Sequence, residues 1–253
     1  MNPSLANKNV LVTGGGVGIG REIALELARA GGRVVITYLT HEPDAELAEE
    51  VKEASGYDLV SLRVDATSKT DVRDAVARVA ATLGSIDVLV NNIGGLIQRS
   101  SIKDMDFELW ERVMSVNLDS AFLATHYALP YMNTGWGRII NVASLAGHNG
   151  GHPGAVAYGT SKAALFGFTR GLSKEVAAQG ITVNAVAPGF IEATPFHDTF
   201  TTAESKAATI ASIPVQRAGT PADVAAAVAW LASPLASFVT GTTVNINGGQ
   251  YFA

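Results

Sequence analysis

A chain of 253 residues, 47% hydrophobic and 16% charged, is long enough for one large α/β domain and too apolar to be disordered. Its net charge of −5 gives no electrostatic reason to bind nucleic acid or an anionic membrane, and without cysteine it has no disulfides, thiolate catalysis or cysteine-held metals. Its first eight residues lack the charged-then-apolar layout of a signal peptide, and no apolar run approaches the roughly 20 residues that span a bilayer, so a cytoplasmic protein is expected.

Read in order, the chain alternates strand and helix. Residues 9–13 (NVLVT) are a short β-branched run, and an amphipathic stretch over 19–30 follows, the pattern of strand, tight turn and helix. The turn reads TGGGVGIG over 13–20. Its glycines let the backbone approach a ligand closely, and the helix start beyond them presents N–H groups suited to a diphosphate. The competing reading is an ordinary glycine-rich turn. A strand is predicted over 33–38, a helix over 43–54, a strand over 59–64 ending at Asp65, and a helix over 71–83. A fourth strand at 87–90 runs into Asn91-Asn92-Ile93-Gly94-Gly95, and a long helical region covers 107–132. A fifth strand at 138–142 ends at Ala143-Ser144, and a glycine- and histidine-rich loop over 147–154 leads into a helix carrying Tyr158 and Lys162. A sixth strand at 182–186 precedes Pro188-Gly189. A helical insertion over 202–212, a helix over 222–232 and a short strand over 242–246 complete the series. Neither a linker nor a repeat interrupts it, so one domain over 1–253 is expected, with a substrate-loop insertion at about 190–215.

Strands alternating with helices imply a mostly parallel sheet covered on both faces. Ligands of such sheets sit beyond the carboxyl ends of the strands, where the strand order reverses. Gly14, Tyr38, Asp65, Asn91, Ser144 and Pro188 should therefore line one edge of the sheet. Tyr158 and Lys162, four residues apart, share one helix face. A phenol ordinarily ionises at about pH 10, and a cation beside it favours the phenolate and brings that value toward the working range. Such a pair makes a proton donor for a carbonyl or an acceptor for an alcohol. The bland reading is a chance spacing on a surface helix.

The TGGGVGIG turn, the Asn91-Asn92-Ile93-Gly94 run, Asn117 in VMSVNLDSAF, Ser144 in NVASLAG, YGTSK over 158–162 and NAVAPG over 184–189 stand in the order found in one family. With them the chain resembles the short-chain dehydrogenase/reductase family over essentially its whole length. The resemblance implies a Rossmann-type, doubly wound parallel sheet of seven strands and hydride transfer between a nicotinamide and a carbonyl or alcohol. It implies that Tyr158 is the acid/base and that Ser144 hydrogen-bonds the reacting oxygen. Lys162 would hold the nicotinamide ribose and lower the tyrosine's pKa, and Asn117 would position a water leading to solvent. Along the dinucleotide it implies Gly14, Gly16, Val17, Gly18 and Ile19 at the turn, and Asp65 and Ala66 at the adenine. Asn91, Ile93 and Gly94 would follow the adenosine and ribose, and Pro188, Gly189, Ile191 and Thr194 would cup the nicotinamide amide. Ile93 stands where the family usually has alanine, and Thr194 sits one residue later than its usual counterpart. Relatives bury the helices of Asn117 and Tyr158 in the interfaces of homotetramers.

Choice of cofactor falls to the end of the second strand, where an acidic residue would hydrogen-bond a ribose 2′-hydroxyl and repel a 2′-phosphate. Tyr38 stands there, with Thr40 and His41 as donors beyond it. NADP(H) is expected over NAD(H), although Val17 occupies a position that many NADP-dependent relatives make basic. Substrate contacts are expected from Arg99, Ser144, His148, Asn149, His152 and Tyr158, with Gln98 and His197 as further candidates. Arg99 is suited to clamping a carboxylate; solvated loops are the alternative. This polar set favours a small polar carbonyl or alcohol, such as a keto- or aldehydo-sugar acid. The overall likeness, including TGTTVNINGGQY over 240–251, is to bacterial 3-oxoacyl-thioester reductases, the competing reading. A non-catalytic cofactor-binding regulator is the remote one. The five histidines show no zinc-ligand spacing, so no metal is expected.

Overall fold

The computed structural model describes residues 4–192 and 203–252. Seven strands form one sheet: β1 (Asn9–Val12), β2 (Arg33–Tyr38), β3 (Val60–Arg63), β4 (Val88–Asn91), β5 (Gly137–Val142), β6 (Ile181–Pro188) and β7 (Thr243–Ile246). Their order is β3-β2-β1-β4-β5-β6-β7, and each neighbouring pair is parallel. The chain winds outward from β1 to β3 and then returns to build the other half from β4. The order therefore reverses between β1 and β4, whose carboxyl ends carry the glycine turn and the Asn91-Asn92 run.

The strand sequences alternate between two buried cores, which explains why they read as unbroken apolar runs. Val10 and Val12, Val34 and Ile36, Val88 and Val90, and Ile140 and Val142 face one layer. Leu11, Val35, Leu89 and Ile139 face the other. The first layer receives α1 (Gly18–Arg29), α2 (Ala45–Ser55) and the late helix Pro221–Ala232. The second receives α3 (Lys69–Leu83), α5 (Ser120–Ala128) and α7 (Val156–Val176). Between them in sequence come α4 (Phe107–Met114) and the short α6 (Ala146–Asn149); Ala203–Ser212 is α8 and Pro221–Ala232 is α9. Among the described residues no helix is long and apolar enough to cross a membrane.

Differences from the sequence expectation have local causes. The region expected as one helix over 107–132 is α4, a π turn (Ser115–Asp119), α5 and a 3-10 turn (Leu129–Tyr131). The π turn places Asn117 where its amide bonds backbone outside its own helix. The helix expected from 43 begins at Ala45 because Asp44 caps it, accepting from the Leu47 N–H at 2.8 Å. Part of the loop expected over 147–154 is helical: α6 runs up to Gly150, which ends it at φ +83°.

Candidate active site

The carboxyl ends of β1 to β6 open into a cavity of about 890 Å³. Its floor is the β1–α1 turn. Thr13 bridges the reversal point, its hydroxyl donating to the Val90 carbonyl and accepting from the Asn92 N–H at 3.0 Å. The Asn92 amide donates to the carbonyls of Thr13 and Gly14 at 3.1 and 3.0 Å, which locks the turn's shape. Gly14 and Gly18 lie at φ +68° and +57°, where a side chain would strain the backbone. At Gly16 the requirement is space, since a Cβ would meet the His41 carbonyl oxygen at 2.0 Å. Helix α1 then begins with Val17 at its N-cap and no side chain closing its first turn, so its N–H groups remain available to an anion.

Around this floor the structure gathers Gly14, Gly16, Val17, Gly18, Ile19, Tyr38, Thr40, His41, Asp65, Ala66, Ile93, Gly94, Pro188, Gly189 and Ile191. The Asp65 carboxylate accepts from the Thr67 hydroxyl at 2.7 Å and its N–H at 2.9 Å, which holds its pKa below the usual carboxylate value. Thr40 and His41 are hydrogen-bonded to each other at 2.9 Å. Thr194 and His197 lie outside the described residues.

Two expected cavity residues point elsewhere. The Asn91 side chain, buried on β4, donates to Thr125 Oγ1 at 3.0 Å and to Asn141 Oδ1 at 2.8 Å. Asn141 in turn donates to Thr169 at 2.9 Å, so this amide row ties β4 and β5 to α5 and α7. Asn92 lines the cavity in its place. His148 is likewise not in the lining: its ring lies between Phe166 and Tyr251, near-parallel to both, with centroids 4.4 and 4.3 Å away. Apolar stacking on both faces fixes it against α7 and the C-terminal segment.

Farther along the cavity lie Ser144 and Tyr158, whose side chains share a hydrogen bond, together with Lys162. Lys162 is only 3% exposed; its Nζ donates to the Val142 carbonyl at 2.8 Å and stands 5.9 Å from the Tyr158 ring centroid. Desolvation pulls its pKa down to about 8. The Tyr158 pKa is raised by burial, a shift that its bond to Ser144 opposes. The expected downward pull of the lysine on the tyrosine is therefore not what the structure displays. The ammonium is turned onto a carbonyl, and burial decides the direction.

Asn117, fully buried in the π turn, donates to the carbonyls of Gly95 and Val113 at 2.8 Å and accepts from the Gly95 N–H at 3.0 Å. It thus fixes the Gly94-Gly95 backbone, and a Cβ on Gly94 would meet Lys162 Nζ at 2.6 Å and Asn117 Oδ1 at 2.7 Å. On the substrate side, Arg99, Asn149 and His152 line the cavity as expected, Arg99 donating to the Pro153 carbonyl at 3.3 Å. Leu96, Phe190, Thr209, Ser212 and Gln250 line it without having been expected. Phe190 and Ser212 fall within the anticipated insertion. Gln250 had no local signal, being delivered by a turn in which Asn247 Oδ1 accepts from the Gly249 N–H at 3.0 Å.

This lining fits an extended dinucleotide: side-chain-free turn, uncapped helix start and a reacting end some way along the same trough. Comparison with known proteins agrees. A family model described as Enoyl-(Acyl carrier protein) reductase matches residues 15–250. The 3-oxoacyl-(acyl-carrier-protein) reductase FabG of Aquifex aeolicus is 40% identical over 256 residues, covering 99% of this chain and all of that protein. A short chain dehydrogenase from Burkholderia cenocepacia, solved in complex with NADP, superposes with a TM-score of 0.87 at 35% identity, covering 97% of this chain and 98% of that one. An NADH-dependent reductase, A1-R′, responsible for alginate metabolism superposes with a TM-score of 0.89 at 33% identity, covering 98% of this chain and 99% of that one. The chain belongs to the short-chain dehydrogenase/reductase family.

Proposed function

We propose that this short-chain dehydrogenase/reductase reduces the keto group of a 3-oxoacyl thioester with NADP(H), Tyr158 delivering the proton. The observation that carries this reading is the likeness, over nearly the full length of both chains, to 3-oxoacyl-(acyl-carrier-protein) reductases from several bacteria at 37–40% identity. It outweighs the sequence-based preference for a small polar substrate, which rested on a polar loop from which His148 has since been removed.

When bound, the nicotinamide would supply the hydride. Ser144 and Tyr158, already bonded to each other, converge on the position where a carbonyl oxygen gains charge, and two hydroxyl donors there stabilise that charge. A tyrosine whose pKa burial has raised holds its proton at neutral pH, the form a reduction requires. Asn117 keeps the Gly94-Gly95 wall in place, and Lys162 supplies a buried positive charge beneath the reacting end. Gly14, Gly16, Val17, Gly18 and Ile19 would hold the diphosphate, and Asp65 and Ala66 the adenine. Thr40 and His41 are neutral or cationic donors at the end of β2, which supports NADP(H) over NAD(H).

The small polar substrate remains the second reading, favoured by Arg99, Asn149 and His152 in the lining and by the structural likeness to the alginate-metabolism reductase. The test is loss of NADPH absorbance with acetoacetyl-thioester against a panel of keto- and aldehydo-sugar acids. Turnover on the thioester is expected, and activity confined to the sugar acids would reverse the assignment. Tyr158→Phe is expected to lower turnover at least ~10³-fold while leaving cofactor affinity within about twofold, as loss of a positioned proton donor should. We further propose a homotetramer.

A further inference from the structure

We propose that Arg63 on β3 is the cofactor-specificity residue, its guanidinium gripping the 2′-phosphate of NADP(H) from the side of the neighbouring strand. The inference rests on the NADP(H) reading above and names the charge that would enforce it. Nothing in the sequence motifs points to this residue, because it lies outside both the glycine turn and the end of β2. Tertiary pairing brings it there. β2 and β3 run parallel with Tyr38 directly opposite Arg63, and the Arg63 Nε donates to the Leu39 carbonyl at 3.1 Å. That bond anchors one edge of the guanidinium beside the Tyr38-to-His41 segment, all four residues of which line the cavity, although Arg63 is not itself in the lining. Val64 and Asp65, which follow Arg63, line it too.

The end of the second strand is where a dinucleotide's ribose 2′ substituent sits in sheets of this kind. A phosphate there needs a cation with several directed donors, which a guanidinium provides. Arg21, the other arginine of this corner, is committed: its Nη2 lies 2.9 Å from Glu50, 3.6 Å from Asp44 and 3.9 Å from Glu46. Among the described residues no ion pair engages Arg63. The acidic groups nearby are both occupied, Glu42 by a hydrogen bond with Tyr38 and Asp65 by Thr67. The Tyr38 pKa is raised by burial and by Glu42, and the nearby Arg63 charge opposes that rise. Thr40 and His41 complete the set of donors.

Isothermal titration of the purified protein with NADPH, NADH and 2′,5′-ADP tests this directly, with Arg63→Met and Arg63→Gln beside the wild type. Thermal melts of each check folding. Expected is a weakening of NADPH and 2′,5′-ADP binding by at least ~10-fold in both variants, with NADH changed by less than about twofold, as loss of one charge-assisted phosphate contact predicts. The wild-type preference for NADPH should also shrink as salt rises, because the contact is exposed, and the variants should lose that salt dependence. A wild type that prefers NADPH with variants that keep the preference overturns the role of Arg63 and leaves the NADP(H) reading standing. Equal weakening of NADPH and NADH overturns it as well, by making Arg63 a structural residue. A wild type with no NADPH preference removes the NADP(H) reading and the Arg63 proposal together.

Discussion

Lys162 is an ammonium with 3% of its surface exposed and, among the described residues, the Val142 carbonyl as its hydrogen-bond partner. Desolvation lowers its pKa from 10.5 to about 8, which makes the charged lysine a stability cost at neutral pH of roughly 3 kcal/mol. Below pH 8 the lysine is protonated in both folded and unfolded chains and the full cost is present. Between about 8 and 10.5 the unfolded chain binds a proton that the folded chain does not, so stability rises with pH there; above 10.5 the cost is gone. Lys162→Met should therefore unfold at higher urea than the wild type at pH 7, and the gap should narrow as pH rises from 8 to 10. A gap independent of pH would show that packing, not charge, sets it. A buried charge kept at such a cost is what the role proposed for Lys162 predicts.

The element on which the cofactor trough depends is the β1–α1 turn, and its glycines act chiefly through space. Gly16 faces the carbonyl of His41, which belongs to the segment after β2. Gly16→Ala would place a Cβ 2.0 Å from that oxygen, so one of two backbones must move. We expect the protein to fold, since the turn lies beyond the carboxyl end of β1 and outside its strand pairing, but to bind NADPH at least ~10-fold more weakly, at about the cost of one lost polar contact or more. Unchanged affinity would mean that the His41 segment yields freely. The π turn between α4 and α5 is the second such element. It carries Asn117, whose amide bonds the backbone of Gly95 and Val113.

At the scale of the whole molecule, two groups among the exposed apolar side chains of the described residues lie on or beside helices. Trp230, Leu235 and Phe238 lie at and just beyond the end of α9, Phe238 completely exposed. Phe107 and Phe122 project from α4 and α5 at 66% and 50% exposure. Burial of these side chains between copies is what the proposed tetramer predicts. Light scattering should give a mass near four times the 26.3 kDa chain, and the double substitution Trp230→Asp with Phe238→Asp should lower it. A monomeric wild type would remove the tetramer proposal.

Much of this protein was legible before any coordinates. The alternation of strands and helices, the parallel sheet, the glycine turn and the Tyr158–Lys162 spacing rest on short-range pattern, while the seven-strand count and the part of Ser144 came from the family resemblance. Asn91 and His148 were misread, Gln250 was overlooked, and the part proposed for Arg63 went unseen, for a common reason. Where a side chain points depends on partners distant in sequence: Thr125 and Asn141 for Asn91, Phe166 and Tyr251 for His148, the strand β2 for Arg63. The sequence by itself determined the alternating α/β architecture, through local periodicity, and the kind of chemistry, through motifs that stand in the order of a known family. Only the tertiary structure decided which residues face the cavity and which way burial moves the tyrosine, because packing and desolvation exist only once distant segments meet.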